Sequence, residues 1–592
     1  MLRCFNSRKK FFILLMAITI VGAFLRFYDF FDLFLFEVDQ SRDYNLIGQI
    51  LAGNFNEFPL VGPKAGGTFF RLGSLYYLPA LLFAYIFGLS PHILAFPEVL
   101  LSIASIPLFF IFVREFFNQR ISFYLTFLWS VSLFFIEYAH FSWNPNYIPF
   151  FFILTLYSVL RYFQDRSNEI LWISVAAFSC GFLMQLHTIT LVGMPLILGS
   201  YFVFQRKKLI FKHLFVFLGI VTILFVPLIL NDFLTKGENI KEFQRAFVSR
   251  GTRDENPSLG KSIFMNTYNS IRYYSVILTS QNYVKDLERV DSSRNLKELI
   301  YENKDEGGSV VAFLFFAIVF LGGSILIFVD ILRTKEDRKY NFLLLIFITQ
   351  VVFFLIFMPL ALRMDSRYFF PVAIMPFIFF GMIFYFLEKY LIRGKFIAAF
   401  VFFVLLILNI KGSVQWLSLA EGYQHKYEKN KEFILDKYFI ITMSQWSGII
   451  EKIMQISEGH QGNLYVDSTP FHTRPLMHLL EMGKKKPVRN MDSKNLDPDG
   501  LYFALRESND VRDGRVLPES VSKKFDIVGH YDFGSVMLFE LKIKNVSGLE
   551  KKEKFGLLKE SKFPKCYELD YDIEARNKCL IEDIFYLFSF KN

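Results

Sequence analysis

A mostly α-helical, polytopic membrane bundle followed by a small C-terminal α/β domain is the fold class this sequence predicts, on three observations. Apolar residues fill 53% of the 592 positions and the mean hydropathy is +0.34, too much apolar surface for a soluble chain of this size. About eleven runs reach or approach the ~20 apolar residues that a spanning helix needs. Beyond residue 410 the composition turns to that of a soluble domain.

The runs cover residues 11–27, 93–113, 121–138, 147–162, 170–186, 189–204, 209–230, 310–331, 341–360, 368–387 and 396–410. Cations gather in alternate connections, as they do in cytoplasmic loops. Arg3, Arg8, Lys9 and Lys10 start inside, and Arg114, Arg120, Arg161, Arg166, Arg206, Lys212, Arg333, Lys339, Lys389 and Lys395 follow at inside ends. The outer connections at 140–146 and 187–188 hold no Lys or Arg, and Arg363 and Arg367 are the exception. This pattern puts the N-terminus in the cytoplasm and the C-terminal domain outside a plasma or inner membrane. The basic start and the apolar run after it resemble a signal peptide without a small-residue cleavage site, which reads as a retained signal anchor.

Counted as a crossing, the run 74–87 would break the alternation, so it is assigned to the outer interface. Residues 28–92 then form one long outer loop with two interfacial helices, the first over 39–52 with Leu46, Ile47, Ile50 and Leu51 on one face. A second outer segment, 231–308, is too long for a connector and reads as a cover over the outer face, with a helical pattern at 263–277. The membrane domain is thus 1–410, and an extracytoplasmic α/β domain fills 411–592. The latter rests on helical patterns at 440–456 and 475–482 and strand-like runs at 463–466, 501–505, 525–528 and 536–541, with Gly534 marking a hairpin. No internal repeat stands out, so an inverted-repeat transporter gains no support.

The net charge of +10 does not point to nucleic acid, because no basic stripe with interleaved aromatics occurs outside the membrane region. Cys4, Cys180, Cys566 and Cys579 lack zinc-ligand spacing, and a Cys566–Cys579 disulfide requires an oxidising compartment. The many Phe suit lipid-facing packing.

Asp39, Asp43, Lys64, Arg71, His140, Trp143, Asn144, Asn146, His187, Arg363, Asp365 and Arg367 concentrate at the outer face. A carboxylate there can deprotonate an acceptor hydroxyl, and guanidinium forks can hold a phosphate. Plainer occupations compete. Asp39 suits the N-cap of the helix it opens, Asn144 before Pro145 suits a turn, and Asp43 suits an ion pair with a neighbouring cation. His187 suits a satisfied interface histidine, and Arg367 suits an interfacial anchor, although an outer Arg runs against the charge bias.

The acidic opening at Asp39, the juxtamembrane helix ending Phe83-Ala84-Tyr85-Ile86-Phe87-Gly88, and Ser366-Arg367-Tyr368-Phe369-Phe370-Pro371 together resemble one family. It is that of the GT-C membrane glycosyltransferases of the protein O-mannosyltransferase and aminoarabinose lipid A transferase type, family 39-like. The resemblance implies a GT-C fold, a polyprenyl-phosphate sugar donor, and Asp39 as the catalytic base. Gln40 stands where the family usually has Glu. The family's His-or-Glu-Pro-Pro motif reads Arg71-Leu72-Gly73-Ser74, and its Asp-Pro reads Trp143-Asn144-Pro145-Asn146. The missing carboxylates argue against a divalent metal, so no metal ligand and no cofactor is expected. Lys64, Arg71, His140, Asn144, His187 and Arg367 become the expected sugar or phosphate contacts, with a protein, lipid or glycan as acceptor. The rival is a transporter or flippase for a lipid-linked saccharide, whose ionisable residues should lie at mid-helix. A non-catalytic membrane scaffold is a third reading.

Overall fold

The computed structural model of the chain describes residues 2–53, 58–66, 68–205, 210–252, 258–284, 307–421, 441–482, 488–493, 495–508, 511, 517–547 and 549. The Cys566–Cys579 pair lies outside them. In chain order the membrane part contains α1 (Leu2–Phe27), α2 (Val38–Leu51), the hairpin β1 (Val61–Lys64) and β2 (Arg71–Gly73), α3 (Tyr77–Phe87) and α4 (Pro91–Val113). There follow α5 (Gln119–Val131), α6 (Leu133–Glu137), α7 (Ile148–Gln164), α8 (Glu169–Met184), α9 (Thr188–Phe204), α10 (Phe211–Leu234), α11 (Glu238–Thr252) and α12 (Leu259–Thr279). The last four are α13 (Gly307–Arg333), α14 (Asp337–Phe357), α15 (Met375–Tyr390) and α16 (Gly394–Glu421).

Each of the eleven predicted runs overlaps a helix, although 121–138 is split at Ser132 and 368–387 becomes α-helical only from Met375. Six of these helices are long and apolar enough to cross a membrane, and α5 with α6 makes a seventh crossing bent by 45°. The chain is a polytopic membrane protein. α7 and α9 have 17 residues and α8 and α15 have 16, at the short end of the spanning range.

Backbone satisfaction explains the bend. Ser132 interrupts the helix with an extended conformation, which frees polar groups that hydrocarbon cannot solvate. Its Oγ donates to Ile277 O at 2.7 Å, and the Leu133 amide donates to Ser280 Oγ at 2.8 Å, so α12 and the residue after it close the gap. The segment expected to cover the outer face therefore supplies a bundle element instead. From Ile271 to Thr279, α12 is buried throughout, and Asn269 Nδ2 donates to Ala361 O at 2.7 Å. Among the described residues of this segment, α11 has the covering position, packing Phe243 on Phe70 of the hairpin loop at 5.1 Å.

The Phe residues also depart from expectation. Many lie in the bundle interior, not toward lipid: Phe109, Phe134, Phe342 and Phe377 are fully buried, and Phe109 stacks on Trp129 at 4.5 Å. Others, such as Phe211, Phe315 and Phe400, do face outward.

α3 is an 11-residue apolar helix with Leu82, Tyr85, Ile86 and Phe87 exposed, as expected of an interfacial helix, and it ends at Gly88. The C-terminal part contains α17 (Met443–Ile456), β3 (Leu464–Asp467), α18 (Pro470–Met482), β4 (Val488–Asn490), β5 (Leu501–Glu507), β6 (Phe525–Asp532) and β7 (Val536–Ile543). The strands form one sheet in the order β4-β3-β5-β7-β6. β3 runs parallel to β4 and β5, while β7 runs antiparallel to β5 and β6. Gly534, at φ 83°, turns the β6–β7 hairpin in a conformation that glycine adopts without steric cost.

Close helix approach in the bundle uses small residues. A Cβ built on Gly323 of α13 would lie 2.6 Å from Phe379 Cβ and 2.8 Å from Phe379 Cα on α15, where backbone cannot yield. Gly323→Val is expected to cost about 1–3 kcal/mol through overpacking. Thermal unfolding of the detergent-solubilised protein checks this, and an unchanged midpoint contradicts it.

Candidate functional site

The helix that carries Asp39 is capped by another residue. Glu37 occupies the N-cap with extended backbone and forms a capping box with Gln40, whose Oε1 accepts the Glu37 amide at 3.1 Å. The capping role offered for Asp39 therefore belongs to Glu37. Asp39 sits in the first helical turn, its side chain 49% exposed, with Oδ1 accepting from Arg42 Nη1 at 2.8 Å.

Arg42 joins two carboxylates. Its Nε donates to Asp43 Oδ1 at 2.8 Å, and Asp43 is buried, taking Tyr76 Oη on Oδ2 at 2.6 Å and Tyr77 Oη on Oδ1 at 3.2 Å. Burial raises the Asp43 pKa, with Arg42 and the Tyr76 hydroxyl pulling it down. The ion pair read for Asp43 is present, and its partner is Arg42. A divalent ion would need open carboxylates, yet here a guanidinium stands between the two. Among the described residues no three His, Cys, Asp or Glu side chains converge. This donor set does not fit such an ion.

Gln40, the residue beside Asp39, ties the helix to the loop at 141–147, its Nε2 donating to Ser142 O at 2.6 Å. That loop is anchored by Glu98 of α4, which is 1% exposed. Glu98 Oε1 accepts Ser142 Oγ at 2.7 Å, and Oε2 accepts the Trp143 amide at 2.8 Å and Asn146 Nδ2 at 2.9 Å. Asn144 Nδ2 donates to Leu186 O, tying this loop to the turn before α9. His140 is fully buried, with Nδ1 2.8 Å from Ile136 O and Nε2 3.3 Å from Tyr28 O. Its hydrogen bonds are therefore to backbone, and its ring packs on Phe30 and Trp416.

Arg367 lies across this loop. Its guanidinium stands 6.0 Å from the Trp143 ring and 5.5 Å from the Tyr368 ring. Arg367 Nε is 3.7 Å from Asp365 Oδ2, beyond hydrogen-bond reach, and has no hydrogen-bond partner among the described residues. His187 caps α9 through Nδ1, which accepts the Ile189 amide at 3.2 Å, and its ring meets Tyr368 edge-on at 5.8 Å. Lys64 and Arg71 are cross-strand neighbours on the β1–β2 hairpin. A Cβ on Gly66, between those strands, would lie 3.8 Å from Arg367 Nη1. Lys64 Nζ lies 5.5 Å from the Phe69 ring, and the Arg71 backbone bonds Asn239 of α11 in both directions, at 2.9 and 3.2 Å. Gly73 meets Gln185, its amide donating to Gln185 O at 3.3 Å.

The structure thus gathers the α2 start, the hairpin, the loop at 141–147, the turn before α9 and residues 365–368 at one end of the bundle. Sequence reasoning passed over Arg42, Glu37 and Glu98. Arg42 stands three residues after Asp39, the spacing of helix ion pairs. Glu98 is the one carboxylate in the apolar run 93–113, the kind of residue membrane helices rarely carry without a task.

Residues 75–230 match the family model described as dolichyl-phosphate-mannose-protein mannosyltransferase. Among solved structures the chain is similar to ArnT from Cupriavidus metallidurans in the apo state, with a TM-score of 0.50 and 12% identity over 90% of this chain and 98% of that one. ArnT from the same organism bound to undecaprenyl phosphate gives a TM-score of 0.41 and 12% identity over 91% and 99%. The oligosaccharyltransferase of Archaeoglobus fulgidus in the apo form gives 0.43 and 14% identity over 76% and 58%. Comparison with curated proteins gives no match. At this identity the likeness to ArnT is one of fold, and the fold is GT-C-like.

Burial, reinforced by the charge of Asp39, pushes the Glu37 carboxyl from its ordinary 4.5 up to about 7. Between those values the folded protein holds a proton that the unfolded chain has released. The Glu37 contribution to stability therefore falls as pH rises from about 4.5 through about 7. Glu37→Gln, which mimics the protonated acid, is expected to remove that slope when unfolding is followed across this window. A pH profile identical to that of the parent protein contradicts the assignment.

Proposed function

We propose that this chain, whose fold is GT-C-like, transfers a sugar from a polyprenyl-phosphate donor to an extracytoplasmic acceptor hydroxyl, with inversion. The observation that carries the reading is Arg367. It is a partly buried cation, paired with Asp365 at 3.7 Å, whose Nε has no hydrogen-bond partner among the described residues, and it is set on the Trp143 loop that Gln40 ties to the Asp39 helix. A lipid phosphate would complete it. The family description of residues 75–230 names a dolichyl-phosphate sugar, which supports the same donor class.

In this reading the acceptor oxygen attacks the anomeric carbon while the bond from that carbon to the phosphate oxygen breaks. The hydroxyl proton passes to Asp39, and the lipid phosphate leaves as an anion beside Arg367. Asp39 is ion-paired to Arg42 in the first helical turn, and any carboxylate is a weak base toward a hydroxyl. A weak base suffices when the hydroxyl sheds its proton only as the new bond forms. Stabilisation of the departing charge by fixed cations then supplies the larger share of the rate. Lys64 and Arg71 add charge from the hairpin next to Arg367, and His187 and Asn144 hold the neighbouring turns, where a sugar would rest. His140 acts by holding its loop. Residues 1–410 form the membrane domain with a cytoplasmic N-terminus, and 411–592 stand outside a plasma or inner membrane. The acceptor is a protein, lipid or glycan.

Glu98, buried within a membrane helix, is the observation that favours the transporter reading. Its three bonded donors all come from residues 142–146, an occupation that leaves it holding a loop.

Purified protein incubated with a panel of polyprenyl-phosphate sugars is expected to release lipid phosphate in the presence of acceptor. Asp39→Asn should lower the rate ~100-fold or more, and Arg367→Met should weaken donor use ~10-fold or more. Equal release by Asp39→Asn and the parent removes the base, and no release from any donor shifts the reading to transport.

A further inference from the structure

The chain reaches Glu37 and Asp39 through residues 34–36, and the C-terminal domain grips this segment. The Met443 amide donates to Phe34 O at 2.8 Å, Leu35 and Thr442 form an antiparallel bridge, and Trp446 Nε1 donates to Phe36 O at 3.0 Å inside the protein. Trp446 is 1% exposed and 410 positions away in sequence. On the other side the Leu35 amide donates to His140 O at 2.8 Å, so the segment is held between the bundle and the C-terminal domain.

The grip is itself rigidly mounted. Thr442 caps α17 in a capping box with Gln445, whose Nε2 donates to Phe533 O at 2.6 Å and Ser535 Oγ at 3.1 Å in the β6–β7 hairpin. α18 packs along α2, where the His478 ring stands 4.9 Å from Tyr44. Phe34, Phe36 and Ile47 share one apolar cluster with Trp446, Ile449 and Leu476. An indole donor without its acceptor in such a cluster is strongly disfavoured, so the Trp446 bond fixes where the Phe36 carbonyl lies. The next residue is the N-cap, and the N-cap sets where the helix begins.

We infer that Trp446 is a positioning residue for the α2 site: through Phe36 O it sets the start of the helix that carries Glu37 and Asp39, and so couples the C-terminal domain to the chemistry. The inference rests on the role proposed for Asp39. A misplacement of about 1 Å at a reacting group can cost ~100-fold in rate.

Two variants of the full-length protein test it. Trp446→Phe keeps the apolar ring and removes the donor. Met443→Pro removes the amide donated to Phe34 O at the first helical position, where proline is tolerated. Amide hydrogen exchange of 34–43 is expected to rise ~10-fold in each, with 148–164 and 501–507 unchanged. Turnover is expected to fall ~10-fold in kcat with the donor KM unmoved. Unchanged exchange in 34–43 in both variants overturns the clamp. Raised exchange with full kcat, or a loss confined to KM, overturns the positioning role. Exchange can be read without substrate, so a parent protein inactive on every donor counts against Asp39 chemistry while the clamp is still decided.

Discussion

The loop at 141–147 lies inside the protein at the end of the helix bundle, where each polar atom must be met by protein because lipid offers no hydrogen bonds. Glu98 meets three of them, and much of the site hangs from that carboxyl. Through Ser142 the loop holds Gln40 and with it the α2 start; through Trp143 it lies under Arg367; through Asn144 it holds the turn before α9. A carboxyl buried in a membrane helix is costly unless its oxygens are bonded, so helix and loop stabilise each other. Removing Glu98 would take the acceptor from the Trp143 amide and one bond each from Ser142 Oγ and Asn146 Nδ2, which keep Leu94 O, Tyr138 O and Phe141 O.

Charge is arranged around this frame. Asp39 and Asp43 share Arg42, and the two tyrosines beside Asp43 hold that triad on its buried side while Asp39 faces outward. The α2 start is therefore mildly anionic, which suits an approaching hydroxyl. Arg367 is the complementary element, a cation that pairs with Asp365 at 3.7 Å without a hydrogen bond between them. In the proposed reaction, placing base and phosphate cation on separate elements joined by one loop would let the leaving group gain stabilisation without neutralising the base. Gln40 fits this scheme, because an amide can bridge two backbone segments where a carboxylate would add a third negative charge.

The bundle was legible in the sequence because long apolar runs and alternating cations are imposed by the bilayer itself, and all eleven runs overlap helices. The hairpin β1–β2 and strand β4 were not, since three or four residues are too few to show a period. α12 was misplaced as a cover because the segment 231–308 is long and polar as a whole, while in the structure Asn266, Asn269 and Ser275 bond within the bundle. At the site, residue types at the outer face pointed to Asp39, His187 and Arg367. The grip of Trp446 on Phe36 could not be read, because contacts between distant segments leave no local pattern.

The central claim is that a lipid phosphate sits at Arg367 with the anomeric carbon turned toward Asp39. The position of a non-cleavable polyprenyl-phosphonate sugar bound to the intact protein, determined by cryo-electron microscopy, tests it most directly. The account predicts the phosphonate within hydrogen-bond distance of the Arg367 guanidinium and the sugar between it and Asp39. A phosphonate bound away from Arg367, or a sugar facing away from Asp39, would contradict it.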